Sequence, residues 1–411
     1  MKVLYFHQHF STPTGSTGIR SYAMAQKLLE QGHSVTMVCG SYSGGHTGLE
    51  GQFKYGKREG IVHGIHVIEF NLAYSNHDGF LKRTSLFLLF ALRSIGVALT
   101  TQYDVLFATT TPLTAGIPGI AARWLRRKPF VFEVRDLWPE LPKEMGVINN
   151  PFILKGMALL EWISYRSAHC LIGLSPGIVD GIARLGVNRK NIIMIPNGCD
   201  LEIFSNKSLP WRPKEVAPTD LMVVFTGTHG IANGLDAVLD SATVLKQRKC
   251  NDIKIVLIGQ GKLKPALQAR ATQEGLNNVI FHDAVNKTKL AGLMASTDIG
   301  LQILANVPAF YYGTSPNKFF DYIAAGLPVL NNYPGWLADI IKTHQCGFSV
   351  PPNDPYAFAD ALEKAAADKI HLQQMGINAR RLAESEFDRN QLANQFVTWL
   401  VDCDARHSQQ S

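Results

Sequence analysis

The chain has 411 residues, 46% of them hydrophobic and 18% charged, which is enough for one large core or, by default, two ordinary cores. Its 40 Lys and Arg residues against 33 Asp and Glu give a formal charge of +7, which favours anionic partners such as nucleotides, phospholipid surfaces or diphospho-lipids. This charge is too diffuse to indicate nucleic acid, and six scattered cysteines without a C-x-x-C pair or a His cluster give no evidence of a metal site. We expect reduced cytosolic thiols and, because Met1 leads straight into a strand pattern, no export signal.

Apolar, β-branched runs alternate with helical patterns along the whole chain. This alternation is typical of parallel sheets whose strands are buried on both faces. The predicted strands are Val3–Phe6, Ser34–Cys39, Ile65–Phe70, Val105–Thr109, Phe130–Val134, Cys170–Leu174 and Ile192–Ile195, then Met222–Thr226, Lys254–Ile258, Val279–His282, Ile299–Ile303, Val329–Asn331 and Gly347–Val350. A polar, proline-containing stretch at 205–219 separates the two series.

The sequence therefore predicts an α/β fold with two Rossmann-like, doubly wound domains, at residues 1–204 and 205–387. An amphipathic run at 391–401 predicts a C-terminal helix, about 388–411, that crosses back onto the first domain. Ligands of such sheets bind at the carboxyl ends of the strands, so the loops that follow the predicted strands are the candidate sites.

A polar, glycine-rich loop follows the first predicted strand. Gly15 and Gly18 would let backbone amides approach a ligand, and Arg20 lies near the start of the next helix, so we predict that these residues bind a nucleotide sugar. The alternative is an ordinary turn. His7 and His9 are more typical of hydrogen-bonded residues at a strand end than of bases.

The segment from Phe80 to Leu99 is strongly apolar but carries basic residues. Lys82, Arg83 and Arg93 interrupt it or flank it, and a further basic run follows at 123–128. A helix of this kind can lie on a membrane surface, with its basic residues on anionic headgroups. A core helix of the first domain is an equally good interpretation.

The loop after the predicted strand Phe130–Val134 carries charged side chains and a tryptophan. We predict catalytic roles for Arg135, Asp136 and Glu140, with Asp136 serving a sugar hydroxyl or accepting its proton, while Trp138 offers a face to the acceptor. The alternative is an ion pair between Arg135 and a glutamate, beside a buried tryptophan.

Two loops of the second domain repeat this arrangement. Gly227, Thr228, His229 and Asn233 follow one predicted strand and Gly261 follows the next, and we predict that all five bind the nucleotide sugar. Neither loop matches G-x-G-x-x-G or G-x-x-x-x-G-K-[ST], so dehydrogenase and NTPase functions are poorly supported.

The most informative segment lies between residues 313 and 330. Ser315 and Pro316 precede a predicted helix, whose first amides, near Asn317 and Lys318, suit a diphosphate. Lys318 adds a positive charge, and Asp321, about one turn later, can accept hydrogen bonds from ribose hydroxyls. The alternative is an ordinary helix capped by Ser315.

Two of these motifs carry a resemblance to a known family over essentially the whole chain. The segments V-R-D-L-W-P-E at 134–140 and S-P-N-K-F-F-D-Y-I-A-A-G at 315–326 resemble family 4 glycosyltransferases of the GT-B fold, in particular the WbuB-type N-acetyl-L-fucosamine transferases. The resemblance implies two domains facing across a cleft. It also implies transfer of an N-acetylated deoxyhexose from UDP to a polyprenyl-diphosphate-linked N-acetylglucosamine at the inner face of the cytoplasmic membrane, during O-antigen or capsule assembly.

The chain departs from this family pattern at two points. The family's Glu-x7-Glu motif falls on Gly313 and Asp321, so only the ribose-binding carboxylate carries over. The Arg and Lys pair that follows the first strand of the second domain in the family is missing. Phosphate binding is then expected from Lys318, the helix-start amides and Arg20.

The mechanism and two rival functions stay open at this stage. If the anomeric configuration is retained, the leaving diphosphate can take the acceptor proton, and if it is inverted, Asp136 is the candidate base. The rivals are a UDP-N-acetyl-sugar 2-epimerase and a non-enzymatic scaffold that binds nucleotide sugars. We expect no cofactor and no metal, and a cytoplasmic protein attached peripherally to an anionic membrane surface.

Overall fold

The computed structural model describes residues 1–15, 18–75, 78–204 and 209–408. The chain forms two compact units. The first comprises Met1–Pro196, Gly313–Ser315 and Asn390–Ser411, and the second comprises Asn197–Tyr312 and Pro316–Arg389. The predicted boundary was placed between residues 204 and 205, and residues 205–208 lie outside the described part of the chain.

The first unit is an eight-stranded sheet with helices on both faces. Its strands are β1 (Lys2–Phe6), β2 (Ser34–Tyr42), β3 (Lys57–Val62), β4 (Ile65–Tyr74), β5 (Val105–Thr109), β6 (Phe130–Val134), β7 (Cys170–Gly173) and β8 (Ile192–Met194), in the order β3-β4-β2-β1-β5-β6-β7-β8. Its helices are α1 (Arg20–Glu30), α2 (Phe80–Thr100), α3 (Ile117–Arg126), α4 (Glu140–Glu144), α5 (Pro151–Ser167) and α6 (Pro176–Arg184), with α15 (Arg389–Ser408) at the end of the chain.

One strand of this sheet was not predicted. β3 pairs antiparallel with β4, whereas the other neighbouring strands of this sheet pair in parallel. Its first four residues, Lys57-Arg58-Glu59-Gly60, are polar or small and show no apolar alternation. An edge strand can carry such a sequence because one of its sides is open to water. The pattern that predicts buried parallel strands therefore misses it.

Strand β1 shows how the first core is organised. Val3 and Tyr5 point to one side of the sheet and Leu4 and Phe6 to the other, and all four are buried. The apolar side of α15 covers the first side, where the ring of Phe396 lies 6.4 Å from that of Tyr5. The C-terminal helix thus completes the core of the first unit.

The second unit is a six-stranded sheet whose neighbouring strands all pair in parallel. Its strands are β9 (Leu221–Thr226), β10 (Ile253–Ile258), β11 (Val279–His282), β12 (Ile299–Gln302), β13 (Val329–Asn331) and β14 (Gly347–Ser349), in the order β11-β10-β9-β12-β13-β14. The helices that follow β9 are α7 (Asp236–Gln247), α8 (Lys264–Gln273), α9 (Lys287–Met294), α10 (Ala309–Gly313), α11 (Asn317–Ala324), α12 (Trp336–His344), α13 (Pro355–Ala367) and α14 (Lys369–Glu386).

The strand order places a switch point in each sheet. Successive strands are added on one side of β1 and then on the other, and the same happens around β9. Ligands of open α/β sheets bind beside such points, at the carboxyl ends of the strands. The loops after β1, β5 and β6 in the first unit, and after β9, β10 and β12 in the second, are therefore the places to look for a site.

Candidate functional site

Arg20 is part of the interior of the first unit. Its guanidinium is 2% exposed and donates from Nε and Nη2 to Glu133 Oε2 at 3.0 and 2.8 Å. Nη1 and Nη2 also donate to the carbonyl oxygens of Pro196, at 2.6 Å, and Ile195, at 2.9 Å. Because every guanidinium nitrogen already donates to a protein acceptor, the prediction that Arg20 binds phosphate is wrong. Its charge offsets a buried carboxylate instead.

Arg135 forms the ion pair that was the alternative for its loop. Its Nε donates to Glu133 Oε1 at 3.2 Å and to Thr109 Oγ1 at 2.9 Å. Burial opposes ionisation of Glu133, but the guanidiniums of Arg20 and Arg135 hold the pKa of this carboxyl below its ordinary value. Arg135 therefore acts on the position of its loop, and its predicted catalytic role has no direct support in these contacts.

Asp136 is the carboxylate of this loop that stays available for chemistry. It is partly buried, and its Oδ2 accepts one hydrogen bond from Thr111 Oγ1 at 3.2 Å. Burial raises the pKa of Asp136, although Thr111 and the charge of Arg135 act in the opposite direction. A carboxylate that is harder to ionise is a stronger base, which suits proton acceptance.

A glutamate that sequence reasoning missed holds the same loop. Glu161, on α5, is buried, and its Oε1 accepts from the backbone N–H of Trp138 at 3.1 Å and from the Tyr165 hydroxyl at 2.8 Å. Burial raises the pKa of Glu161 to about 7. The partly exposed Trp138 stays available to an acceptor, whereas Glu140 lies on the surface, 3.2 Å from Arg184. Glu161 was missed because it lies 23 residues from Trp138 along the chain, so no local pattern joins the two.

The glycine-rich loop after β1 is tightly packed rather than open. A Cβ on Gly15 would lie 2.1 Å from Ser11 Oγ and 2.9 Å from the His46 amide, so this position requires glycine for packing. Gly18 is exposed. Burial lowers the pKa of His7 and brings that of His9 to about 4, so neither histidine carries a charge near neutral pH. Residues 16 and 17 of the loop lie outside the described part of the chain.

In the second unit, the loops after β9 and β10 interlock. The Gly227 amide donates to Ile258 O at 3.0 Å and the His229 amide to Gln260 O at 2.9 Å. Gly259 has φ +151, and a Cβ there would lie 1.8 Å from Gly227 O, while one on Gly261 would lie 2.3 Å from His229 O. Gly261 therefore supports the neighbouring loop by close approach.

His229 belongs to the loop after β9. Its side chain is fully buried, and burial followed by the charge of Lys264 lowers its pKa to about 4. A neutral and inaccessible imidazole does not contact a solvent-borne nucleotide, so the prediction of His229 as a direct ligand is wrong. Its backbone instead joins the two loops, since its N–H donates to Gln260 O and its carbonyl oxygen accepts from the Leu263 amide.

Lys318, Asn233 and Gly227 come together at one place. Lys318 Nζ donates to Asn233 Oδ1 at 2.5 Å and to Ile303 O at 3.3 Å, and lies 4.3 Å from the centre of the Phe225 ring. A Cβ on Gly227 would lie 3.9 Å from this ammonium, so the missing side chain leaves space beside it. Asn233 is fixed by its own bond from Nδ2 to Thr228 O, at 2.7 Å.

The same ammonium is poised to gain a negative partner. Burial lowers the pKa of Lys318 to about 7, and among the described residues no carboxylate pairs with it. A diphosphate placed here would supply the missing charge and restore the cationic form.

Helix α11 starts as the anion site requires. Pro316 is its N-cap residue and has no N–H, and within the described part of the chain the amides of Asn317 and Lys318 have no acceptor. These groups and the helix dipole favour an anion. Ser315 is not the N-cap, and the segment Gly313–Ser315 belongs to the first unit.

Asp321 is half-buried, and no side-chain hydrogen bond to it is found among the described residues. Burial raises its pKa to about 6, with Lys287 and Arg389 lowering it and Asp200 raising it. Asp200, Lys287 and Arg389 form a cluster that the sequence did not predict. The Asp200 carboxylate accepts hydrogen bonds from Lys287 Nζ and from Arg389 Nε, each at 2.5 Å. Lys287 and Arg389 lie 87 and 189 residues from Asp200 along the chain, so no local sequence pattern joins the three residues.

Replacing Asp321 by asparagine is expected to weaken UDP binding about tenfold, and to weaken binding of 2′-deoxy-UDP less. The amide keeps the shape but loses a charged acceptor for a ribose hydroxyl. Calorimetric titration with both nucleotides measures the difference. Equal losses for the two nucleotides would show that Asp321 does not contact the 2′-hydroxyl.

Helices α2, α3 and α5 of the first unit leave large apolar side chains in water. In α2 only Phe90, Ala91, Ser94 and Ala98 are buried, which favours the surface helix over the alternative of an ordinary core helix. The exposed apolar residues of these helices, which we call the apolar face, are Phe80, Leu81, Leu88, Leu89, Leu92, Trp124, Leu125, Phe152, Ile153, Leu159 and Trp162. Lys82 is exposed, Arg83 lies 5.9 Å from the Tyr74 ring, and Arg93 donates to Gly56 O at 3.1 Å.

Within residues 1–15, 18–75, 78–204 and 209–408, α2 alone is long and apolar enough to cross a membrane by length and composition. Its buried residues Phe90 and Ala98 belong to the same apolar cluster as residues from the strands of the first unit. In the same ranges, no group of three or more His, Cys, Asp or Glu could hold a metal ion. The expected absence of a metal stays a prediction.

Two family models match the chain, one on each side of the junction between the series. Residues 15–198 match the glycosyl transferase 4-like domain, and residues 209–382 match the glycosyl transferases group 1 domain. The O-antigen chain mannosyltransferase C of Escherichia coli is 22% identical over 255 residues, which cover 61% of this chain and 65% of that relative.

Solved structures share the fold over almost the whole chain. Sucrose-phosphate synthase from Thermosynechococcus elongatus has a TM-score of 0.75 at 15% identity, covering 98% of this chain and 99% of that chain. Anabaena HepE in complex with UDP-glucose has a TM-score of 0.66 at 17% identity, covering 98% and 100%. The fold and the matched domains define a sugar-transferring enzyme. The chain belongs to the GT-B glycosyltransferases, which confirms the predicted fold and enzyme class over the epimerase and scaffold alternatives.

Proposed function

We propose that this enzyme transfers an N-acetylated deoxyhexose, N-acetyl-L-fucosamine, from UDP to a polyprenyl-diphosphate-linked N-acetylglucosamine. The step would serve the assembly of O-antigen or capsule repeat units on the inner face of the cytoplasmic membrane. The observation that carries the proposal is the apolar face of the first unit, because an enzyme acting on a soluble acceptor has no need to expose so many large apolar side chains.

The donor part of the proposal is supported by the second unit. The start of α11 offers a cation on Lys318, two backbone donors at Asn317 and Lys318, and a carboxylate on Asp321. A nucleoside diphosphate carries the matching groups, two phosphates and a ribose diol. HepE, which shares the fold, was solved with UDP-glucose.

The acceptor part is supported by the first unit. Phe152 is 82% exposed and Leu92 is 65% exposed, and both belong to the apolar face, while the exposed Lys82 lies on α2 as Leu92 does. Apolar side chains that enter the headgroup region, together with cations on anionic lipid, attach a protein peripherally. A lipid-linked acceptor would then reach the enzyme by diffusion in the membrane plane.

The sugar and the pathway come from the resemblance of the motifs at 134–140 and 315–326. The mannosyltransferase of Escherichia coli acts on O-antigen by its name, which agrees with the pathway but does not identify the sugar. The donor is thus the part of the proposal most in need of experiment.

Mass spectrometry of the acceptor lipid tests the proposal. The purified enzyme is incubated with polyprenyl-diphosphate N-acetylglucosamine and a panel of UDP-N-acetyl sugars that includes the L-fuco isomer. A gain of one N-acetylated deoxyhexose from that donor alone is expected. A gain from another donor would correct the sugar, and an unchanged lipid across the panel would show that the donor class or the acceptor class is wrong.

Replacing Leu92 and Phe152 by serine together is expected to weaken binding to phospholipid vesicles at least about tenfold, because two exposed apolar side chains no longer enter the interface. Vesicle sedimentation measures the binding. The matched control replaces Leu209 and Ile370, which are 89% and 82% exposed in the second unit, by serine. Equal losses in both variants would show that the apolar face is not the membrane contact.

A further inference from the structure

A basic cavity lies at the amino ends of the strands of the first unit, away from the candidate catalytic loop. It has a volume of about 1060 Å³. Its lining includes Asp104, Pro129 and His169, which directly precede β5, β6 and β7, respectively. Asp136 follows the other end of β6. A five-residue strand is about 16 Å long, so the cavity and the catalytic loop are separate places.

The charge of this cavity is mostly positive. Arg123, Arg126, Arg127 and Lys128 line it together with the carboxylates of Asp104 and Asp404. Asp104 Oδ2 accepts a bond from the Lys2 amide at 2.7 Å.

Among the residues that the structure describes, Arg126 is the one of these four cations that donates side-chain hydrogen bonds to protein acceptors. Arg126 Nη1 donates to Ala98 O at 2.9 Å and to Thr101 O at 2.6 Å. For Arg123, Arg127 and Lys128, the described residues provide no side-chain hydrogen bond and no ion pair. Three cations without acceptors around a cavity are a binding surface for phosphate oxygens.

Two histidines, His169 and His407, also line the cavity. The rings of His169 and His407 are 4.5 Å apart, and His407 Nε2 lies 2.9 Å from Arg127 O. Burial, then the charges of Arg123 and His407, lower the pKa of His169 to about 4, so at neutral pH this ring adds no charge to the cavity. The arginines and the lysine therefore provide the charge.

The rim of the cavity joins the apolar face. Trp124 lines the cavity, is 67% exposed and donates from Nε1 to Ser167 Oγ at 3.0 Å, and its neighbour Leu125 is 70% exposed. Tryptophan with one polar end fixed is typical of a membrane interface. A ligand of this cavity would combine an anionic head with an apolar body beside it.

We propose that the cavity binds the phosphate headgroup of an anionic phospholipid, with Arg123 and Lys128 on the phosphate and Trp124 at the level of the glycerol. This inference rests on the membrane attachment in the proposed function and goes beyond it, because it assigns a specific lipid site remote from the transfer site. A soluble phosphate would offer the same oxygens but no apolar body for Trp124.

The test compares vesicles of phosphatidylcholine with and without phosphatidylglycerol. Replacing both Arg123 and Lys128 by glutamine is expected to weaken binding to the phosphatidylglycerol vesicles about thirtyfold. This is the loss of affinity expected when two basic side chains are removed from an anionic membrane surface. The matched control replaces the exposed Lys54 and Lys57 of the same unit by glutamine, which removes the same charge, and is expected to bind as the wild type does. An unchanged melting temperature shows that both variants fold.

Three outcomes would overturn the proposal. Equal losses of vesicle binding in the two variants would show that the overall positive charge of the unit, rather than this cavity, attracts the anionic vesicles. Equal binding of the wild type to both kinds of vesicle would show that no anionic lipid is recognised. Calorimetric binding of inorganic phosphate that needs Arg123 and Lys128, with vesicle binding unaffected by them, would assign the cavity to a soluble phosphate. Transfer by the wild type to a detergent-solubilised acceptor is measured separately, so a failure of the proposed function is distinguished from a failure of the lipid site.

Discussion

Replacing Lys318 by methionine is expected to weaken UDP binding by about ten- to a hundredfold. A hydrogen bond to a charged group contributes about 1.5–3 kcal/mol, and the Lys318 ammonium is the positive charge that lies beside the start of α11. Methionine keeps most of the length of the side chain and loses the charge. Calorimetric titration with UDP measures the change. UDP binding undiminished in this variant would contradict the site.

The matched control for this variant is Lys262→Met, in the neighbouring loop after β10. Lys262 is exposed, and the described residues provide no ion pair for it. Removing its charge is expected to leave UDP binding close to that of the wild type, because an exposed charge is screened by salt. A loss as large as that of Lys318→Met would mean that the general charge of this region, rather than one ammonium, attracts UDP.

The pKa of Lys318 adds a dependence on pH. Burial lowers this pKa to about 7 in the free protein, so the ammonium is only partly charged at neutral pH. A diphosphate favours the charged form and raises the pKa in the complex. The affinity for UDP is therefore expected to be highest below pH 7 and to fall as pH rises above 7. Lys318→Met is expected to lose this dependence.

Replacing Asp136 by asparagine is expected to lower the rate of sugar transfer by about 10²–10⁴-fold, with UDP binding unchanged, if Asp136 is the base of an inverting reaction. The amide can still accept the bond from Thr111, which Asp136 accepts at 3.2 Å, so the loop is expected to keep its conformation. Radiochemical transfer assays measure the rate, and NMR of the product gives its anomeric configuration. Asp180→Asn, at an exposed position of the same unit, is the matched control.

The pH profile distinguishes a base from a positioning residue. Burial raises the pKa of Asp136, and a base must be ionised, so transfer is expected to fall as pH drops through this raised pKa. Asp136→Asn is expected to lack this acidic limb. A rate within about threefold of the wild type, with a product of retained configuration, would instead indicate that the leaving diphosphate takes the acceptor proton.

The position of helix α11 was readable from local sequence. Gly326, predicted to follow the helix, has φ +70, a left-handed conformation that ends helices and favours glycine. The turn that separates Lys318 from Asp321 follows from helical periodicity alone. Strand bounds such as Phe130–Val134 agreed with the structure for a similar reason, since a strand buried on both faces is apolar throughout.

The roles of the charged residues were not readable in this way. Arg20 and Glu133 are 113 residues apart, and only the fold brings the guanidinium onto the carboxylate and removes both from water. Glu161 and Asp200 were missed for the same reason, because each acts on partners that belong to other elements.

The sequence by itself determined the two series of strands, the class of enzyme suggested by two motifs, and the short-range geometry of Lys318 and Asp321. These follow from periodicity and from contacts within one helical turn. Only the tertiary structure decided that Arg20 and His229 are buried and that α2 exposes an apolar face. Burial and long-range pairing set the charge and the accessibility of a side chain, and neither quantity is a property of its neighbours in sequence.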